Sequence, residues 1–322
     1  MLRPVLIPIA VFLTGCSGQA LEWSVVEEGA PEGAFLMAWG ATSDDVWVVG
    51  GQPDAGVVLR GDADGFAQHP LPEDIPILDW VHGTSAEDVW VGGVNGTLLH
   101  WDGSDWEDYS IPMDEAIWGL YARSPSEAWA VGGTSAWGGS FAVALRWDGA
   151  TWSTLDLPPP ADEAANLFKV AHDGTHLWMV GTQGLALRSA DGETLEAVYT
   201  GVAEDLVTVH ATNDAMVVVG GRGTGLILEP QDGALATTLR VRAGLSGVHV
   251  LDSRSALMVG EAGLTGLYDL DADLLEEVEP VTTSVLHGAF AAPDGTLYAV
   301  GGNLYAAGDV FEGTLLSAPD PL

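Results

Sequence analysis

Short apolar runs, each closed by glycine, recur along the chain. They read "DVWVVGG" around Trp47, "DVWVGG" around Trp90, "EAWAVGG" around Trp129 and "HLWMVG" around Trp178. Three more follow at Val217 ("MVVVGG"), Leu257 ("ALMVG") and Tyr298 ("LYAVGG"), so the spacings are 43, 39, 49, 39, 40 and 41 residues. Each run is preceded by another apolar stretch, such as "AIWGLYA" or "DLVTVHA", and by a turn rich in Ser, Asp, Asn or Pro. Each is followed by a third run, which in most copies leads to an Asp-Gly or similar turn and then to a fourth run that often opens on an aromatic residue and closes at proline. Asp-Gly favours a two-residue hairpin because both residues tolerate positive φ, and proline suits the end of an outer strand because it lacks a ladder donor. Units of about 40 residues with four strands each are the signature of propeller blades. The predicted fold is all-β: a single seven-bladed β-propeller.

Within this pattern, repeated residues answer a shared packing problem. Trp90, Trp101 and Trp106 are expected in the core between blades. Arg60, His100, Arg146 and Arg188 share one third-strand position and are expected to pair with local acids or turn carbonyls. Asp44, Asp45, Asp88 and Glu127 read as turn formers. The ring must also close. Trp23 precedes Trp47 by 24 residues and Trp106 precedes Trp129 by 23, so Trp23 falls where a fourth strand opens. Residues 23–27 are therefore expected to pair with the third strand of the seventh blade, placed near Asp309–Phe311, and to close the ring. In the alternative, Thr314–Ser317 supplies the closing strand.

Ahead of the repeats, "MLRPVLIPIAVFLTGCSG" has a basic residue, a short apolar run and then Leu13-Thr14-Gly15-Cys16. The run is too short to span a bilayer but fits an export signal. Leu13–Cys16 resembles the bacterial lipobox, which implies a signal peptide over 1–15, cleavage before Cys16, lipid on its sulfur and a tether over 16–20 leading into a propeller over 21–322. Cys16 is the only cysteine, so no disulfide supports the fold. By the same resemblance, Ser17 permits sorting to the outer membrane, with the membrane contacted through the lipid alone.

The blade "WVGGVNGTLLHWDGSDWEDYSIP" resembles kelch repeats and the Asp-box of sialidase-type propellers, although Asp102 and Asp148 directly precede their glycines where the Asp-box leaves a residue between. The resemblance implies a fold more than a chemistry, because one superfold hosts many activities.

Charge narrows the partners. Ten basic residues face 46 acidic ones, a net charge of −36, which repels phosphate backbones and excludes nucleic acid. No catalytic residue is assigned: there is no Gly-x-Ser-x-Gly motif, and the one thiol is committed to lipid. "GGRGTG" at residues 220–225 runs into a strand and lacks the helix N-terminus a phosphate loop requires. His172 and His176 flank a turn without a helix to align them on a metal. "DLDADLLEE" starts like a calcium loop, but Leu274 stands where the loop requires Gly, so calcium is the one cofactor considered and none is assigned.

Departures from the repeat carry more information. The third copy is the longest, through "GGTSAWGGSFA", and places Trp137 off the core pattern as a candidate ligand contact. Lys169, the only lysine, lies on an innermost strand and is expected to line the channel among carboxylates such as Asp79. The expected function is a non-enzymatic scaffold binding an envelope protein or extracellular polymer; a glycan hydrolase or lyase and a calcium-dependent adhesion module are the alternatives.

Overall fold

The computed structural model describes residues 21–135, 141–159, 161–164, 166–304 and 310–321. Seven four-stranded antiparallel sheets follow one another around the ring. Blade 1 spans residues 34–68, blade 2 78–108, blade 3 116–154, blade 4 167–197, blade 5 206–241 and blade 6 245–278. Within each, the strands run in sequence order from the innermost outward. Cys16 and Trp137 lie outside the described residues.

Blade 7 takes its three inner strands from Val285–Ala291, Thr296–Asn303 and Glu312–Pro319, and its outermost from the N-terminal segment Ser24–Ala30. The N-terminal strand therefore closes the ring, paired Ser24 to Ser317 and Ala30 to Gly313. The third strand is Glu312–Pro319, beginning just after the expected Asp309–Phe311 region, of which Asp309 lies outside the described residues, and Thr314–Ser317 belongs to it instead of forming a fourth. In the other blades the third strand ends in a hairpin; here its outer neighbour arrives from the far end of the chain, so no hairpin turn marks it.

Between blades, the repeat tryptophans pack as expected. Trp47 meets Trp101 at 5.9 Å and Trp106 edge-on at 5.8 Å, and Trp90 meets Trp147 at 5.1 Å and Trp152 edge-on at 5.2 Å. Edge-to-face packing is what the ring quadrupoles favour. Trp47, Trp90 and Trp129 are the largest fully buried side chains. Trp90→Ala is expected to destabilise by about 3–5 kcal/mol, read as a lower urea midpoint with an unchanged slope.

The third-strand basic residues lie opposite these tryptophans and take acids from the second strand. Arg60 makes a two-pronged bond to Asp45, His100 bonds Asp88 at 2.7 Å, and Arg146 reaches Glu127 at 3.5 Å. Arg188 pairs instead with Glu196 at 2.5 Å. Asp45 and Glu127 are thus ion-pair partners and Asp88 a hydrogen-bond partner of His100, not simply turn formers.

Candidate functional site at the channel mouth

The glycine three residues after each repeat position does more than end a strand. At Gly50, Gly93, Gly132, Gly181, Gly220, Gly260 and Gly301, an added Cβ would lie 1.9–2.4 Å from a carbonyl oxygen at the start of the blade's own inner strand. Just beyond that carbonyl, the inner strand carries a β-bulge at the same level in every blade. A bulge inserts one unpaired residue and re-aims its side chain. The seven inserted residues are Leu36, Asp79, Trp118, Phe168, Val207, Ser246 and His287, and all of them line one cavity of about 1030 Å³ at the mouth of the central channel. The glycine is repeated, whereas the bulged residue near it differs from blade to blade. Gly181→Ala, which would press on the Asn166 carbonyl at 2.1 Å, is expected to destabilise by about 1–3 kcal/mol or more, read by thermal melting.

Both channel residues expected from the sequence are in this mouth. Asp79 is 5% exposed, and its Oδ2 has no hydrogen-bond partner. Burial raises its carboxyl far above the usual carboxylate range, with Lys169 pulling the other way. Lys169 donates to the Trp118 carbonyl and lies over the Trp80 ring, 4.2 Å from its centroid. Burial lowers its ammonium, opposed by Asp79. The two sense each other's charge but do not pair through contact: Lys169 is satisfied by a carbonyl and an aromatic face.

Sequence reasoning missed His287. Its Nε2 is also buried without a partner, its other nitrogen is bonded to the Gly302 backbone, and burial lowers it to about 4. The wall between these groups is aromatic: Trp80, Trp118 and Phe168. Trp118 is held by a 3.2 Å bond from its Nε1 to Asn166 Oδ1, and Trp80 by a 2.9 Å bond to the Leu120 carbonyl of the next blade. Around the rim stand Glu28, Asp205, Glu261 and Glu312, with Arg222 as an exposed cation.

Below the mouth, the inner strands carry a second layer of rings. Trp39 and His82 are 5.7 Å apart, His82 and Tyr121 4.9 Å, His210 and His249 4.0 Å, and His249 and Phe290 5.6 Å. His82 Nδ1 accepts the Ala122 backbone N–H at 3.1 Å, and His210 Nδ1 accepts that of Val250 at 3.0 Å, each reaching the next blade. These imidazoles are neutral acceptors. Burial lowers His82 to about 3 and His210 to about 4, and lowers His249 well below its ordinary value; the charge of His210 lowers the other two further.

Among the described residues, no group of three or more His, Cys, Asp or Glu side chains is placed to hold a metal ion. In the calcium-loop-like segment, Asp269 Oδ1 accepts the N–H groups of Asp271 and Ala272, and Asp271 pairs with Arg254 at 2.6 Å. His172 and His176 are likewise turned to local partners, the Gly174 N–H at 2.9 Å and Asp173 at 3.9 Å.

No family model matches the chain, and no curated protein matches it. Solved structures do. A streptogramin B lyase is 15% identical with a TM-score of 0.71, over 92% of this chain and 97% of that one. YCF48 bound to a D1 peptide is 14% identical with a TM-score of 0.67, over 92% and 96%. The WD40 β-propeller domain of Doa1 is 9% identical with a TM-score of 0.68, over 92% and 97%. At these identities the likeness is one of fold: a seven-bladed propeller on which both an enzyme and a peptide-bound protein are built.

Proposed function

We propose that the chain is a lipid-anchored envelope scaffold, kelch-like in its blades, that binds a partner protein in the mouth of its channel without catalysing a reaction. The observation that carries this reading is the set of seven bulges. They turn chemically different side chains into one cavity, and two of these, Asp79 and His287, hold buried polar atoms with no partner. A buried polar group left unpaired costs about 1–3 kcal/mol, a cost that a ligand supplying the missing bond recovers. Asp79 and Lys169 are the proposed contacts on the wall. Trp137, proposed as a third from the sequence, lies outside the described residues; Thr134, three positions before it, lines the mouth. That one of the similar structures is a peptide complex agrees with this use of the fold.

The path of the chain orients the site. The N-terminal strand ends at the mouth, where Glu28 and Gly29 line the cavity, and so it begins on the opposite face. Cys16 stands five residues before Leu21, a reach of roughly 17 Å when extended. A lipid on Cys16 would hold the turn face toward the bilayer and the mouth away from it. Acidic turns such as those at Asp102, Asp148 and Asp191 lie on that anchored face, so anionic head groups repel it and the lipid supplies the attachment. Ser17 supports the outer membrane as its address.

Two measurements test this. With Cys16→Ala, labelled palmitate should no longer enter the protein and the chain should leave the membrane fraction; retention of either refutes the anchor. In cross-linked envelopes, Trp118→Ala and Trp137→Ala should reduce recovery of the partner, with Trp137→Ala leaving the melting temperature nearly unchanged. Full recovery with both variants refutes binding at the mouth.

A further inference from the structure

We propose that the mouth selects a cationic group, the ammonium or guanidinium of a basic segment of the partner protein. This rests on the mouth being the binding surface. The unpartnered atoms at the wall are His287 Nε2, an acceptor, and Asp79 Oδ2, which accepts once its carboxyl is ionised. His287 uses one ring nitrogen as a donor to the Gly302 backbone and is neutral, so Nε2 offers a lone pair. Asp79 offers Oδ2 from a side chain that is almost wholly buried. Burial keeps this carboxyl protonated more readily than usual, and a cation seated beside it restores the carboxylate by the same Coulomb attraction that Lys169 already exerts from beyond contact.

Above these acceptors, Glu28, Asp205, Glu261 and Glu312 ring the entrance, and the aromatic wall receives a cation through its ring faces. The site demonstrates this affinity on itself. The chain's one lysine is drawn in against the Trp80 face and the Trp118 carbonyl, a tethered counterpart of the group the mouth would take from a partner. A net charge of −36 would steer such a segment toward the protein from a distance, but steering acts over the whole surface, whereas the buried acceptors act at one place.

The test uses the intact mature chain and a fluorescein-labelled Gly-Ser peptide carrying four arginines, followed by anisotropy at physiological salt. A peptide with four glutamates in their place is the charge control. Asp79→Asn, which keeps the shape and removes the charge, is expected to weaken the arginine peptide roughly ten-fold. Should Asp79→Asn fail to fold, Asp205→Asn/Glu312→Gln at the rim gives the same reading. Lys169→Met, by removing the resident cation, is expected to tighten binding. Glu276→Gln/Glu277→Gln, which removes two exposed charges from the outer strand of blade 6, is expected to change little. Equal weakening by the blade 6 and mouth variants would show diffuse attraction and overturn the proposal. So would loss of binding with Lys169→Met, or preference for the glutamate peptide, either of which marks an anion site. Partner recovery with Trp118→Ala decides separately whether the mouth is the binding surface, since that readout does not depend on the sign of the charge bound.

Discussion

Deletion of residues 21–28 with Cys16 retained should abolish the single cooperative unfolding transition. The deleted segment supplies most of the outermost strand of blade 7, the one strand pairing among the described residues that joins the two ends of the chain. Its removal leaves Glu312–Pro319 as an unpaired edge, which is open to association with other chains. It also removes Trp23 and Leu21, both buried in the cluster with Leu257, Val259, Leu286 and Leu316. Trp23 Nε1 donates to Thr265 Oγ1 in blade 6 at 2.8 Å, so the strap joins two blades as well as two termini. Loss of this one indole should cost about 3–5 kcal/mol, a large part of the roughly 5–15 kcal/mol by which domains are stable. Trp23→Ala should therefore lower the melting temperature markedly, and the deletion should give a broad, early or multiphasic transition. A deletion variant that melts as the full chain does would show that blades 1 and 7 hold the ring without the strap.

Acid should weaken the ring from within, well before most carboxylates titrate. His82, His210, His249 and His287 are held neutral by burial, at about 3, about 4, well below the ordinary value and about 4, whereas an unfolded histidine titrates near 6.5. Below about pH 6.5 the unfolded chain binds protons that the folded chain refuses, so stability falls as the pH falls, and for these groups it levels off only below about 3. One histidine held at about 4, such as His210, contributes on the order of 3 kcal/mol of this dependence. Asp79 and Glu229, whose carboxyls burial raises, act in the opposite direction over part of the window, two groups against these four and the partly buried His69 and His172, which burial also lowers. The urea midpoint should drop steadily between pH 6.5 and 4. His82 and His210 lose more than neutrality on protonation, because each Nδ1 accepts a backbone N–H of the next blade. His210→Gln should flatten the profile and lower stability at pH 7. A midpoint constant from pH 7 to 4.5 would contradict this account.

The blade count and the place of Trp23 were legible because they depend on local chemistry repeated seven times. A strand that ends in Gly, turns on Asp-Gly and buries a tryptophan reads the same way in each copy, and the copies correct one another. The third strand of blade 7 was misplaced for the same reason. Its outer neighbour comes from the other end of the chain, so the hairpin turn that marks a third strand elsewhere is absent. The acids Asp45, Asp88 and Glu127 looked like turn residues because their basic partners lie 12–19 residues on, across a strand pair.

The site was legible only in part. Asp79 and Lys169 stood out as rare charges on innermost strands, whereas His287 gave no signal apart from its residue type. By itself the sequence determined the seven units, the strand order within them and the tryptophan core, since each follows from periodicity and turn chemistry inside about 40 residues. The tertiary structure alone decided that each repeated glycine faces a bulge, that the seven bulge residues meet around one channel, and that Asp79 and His287 lack partners there. Residues separated by some 200 positions become neighbours only when the ring closes, and burial, which sets their charge, exists only in the closed ring.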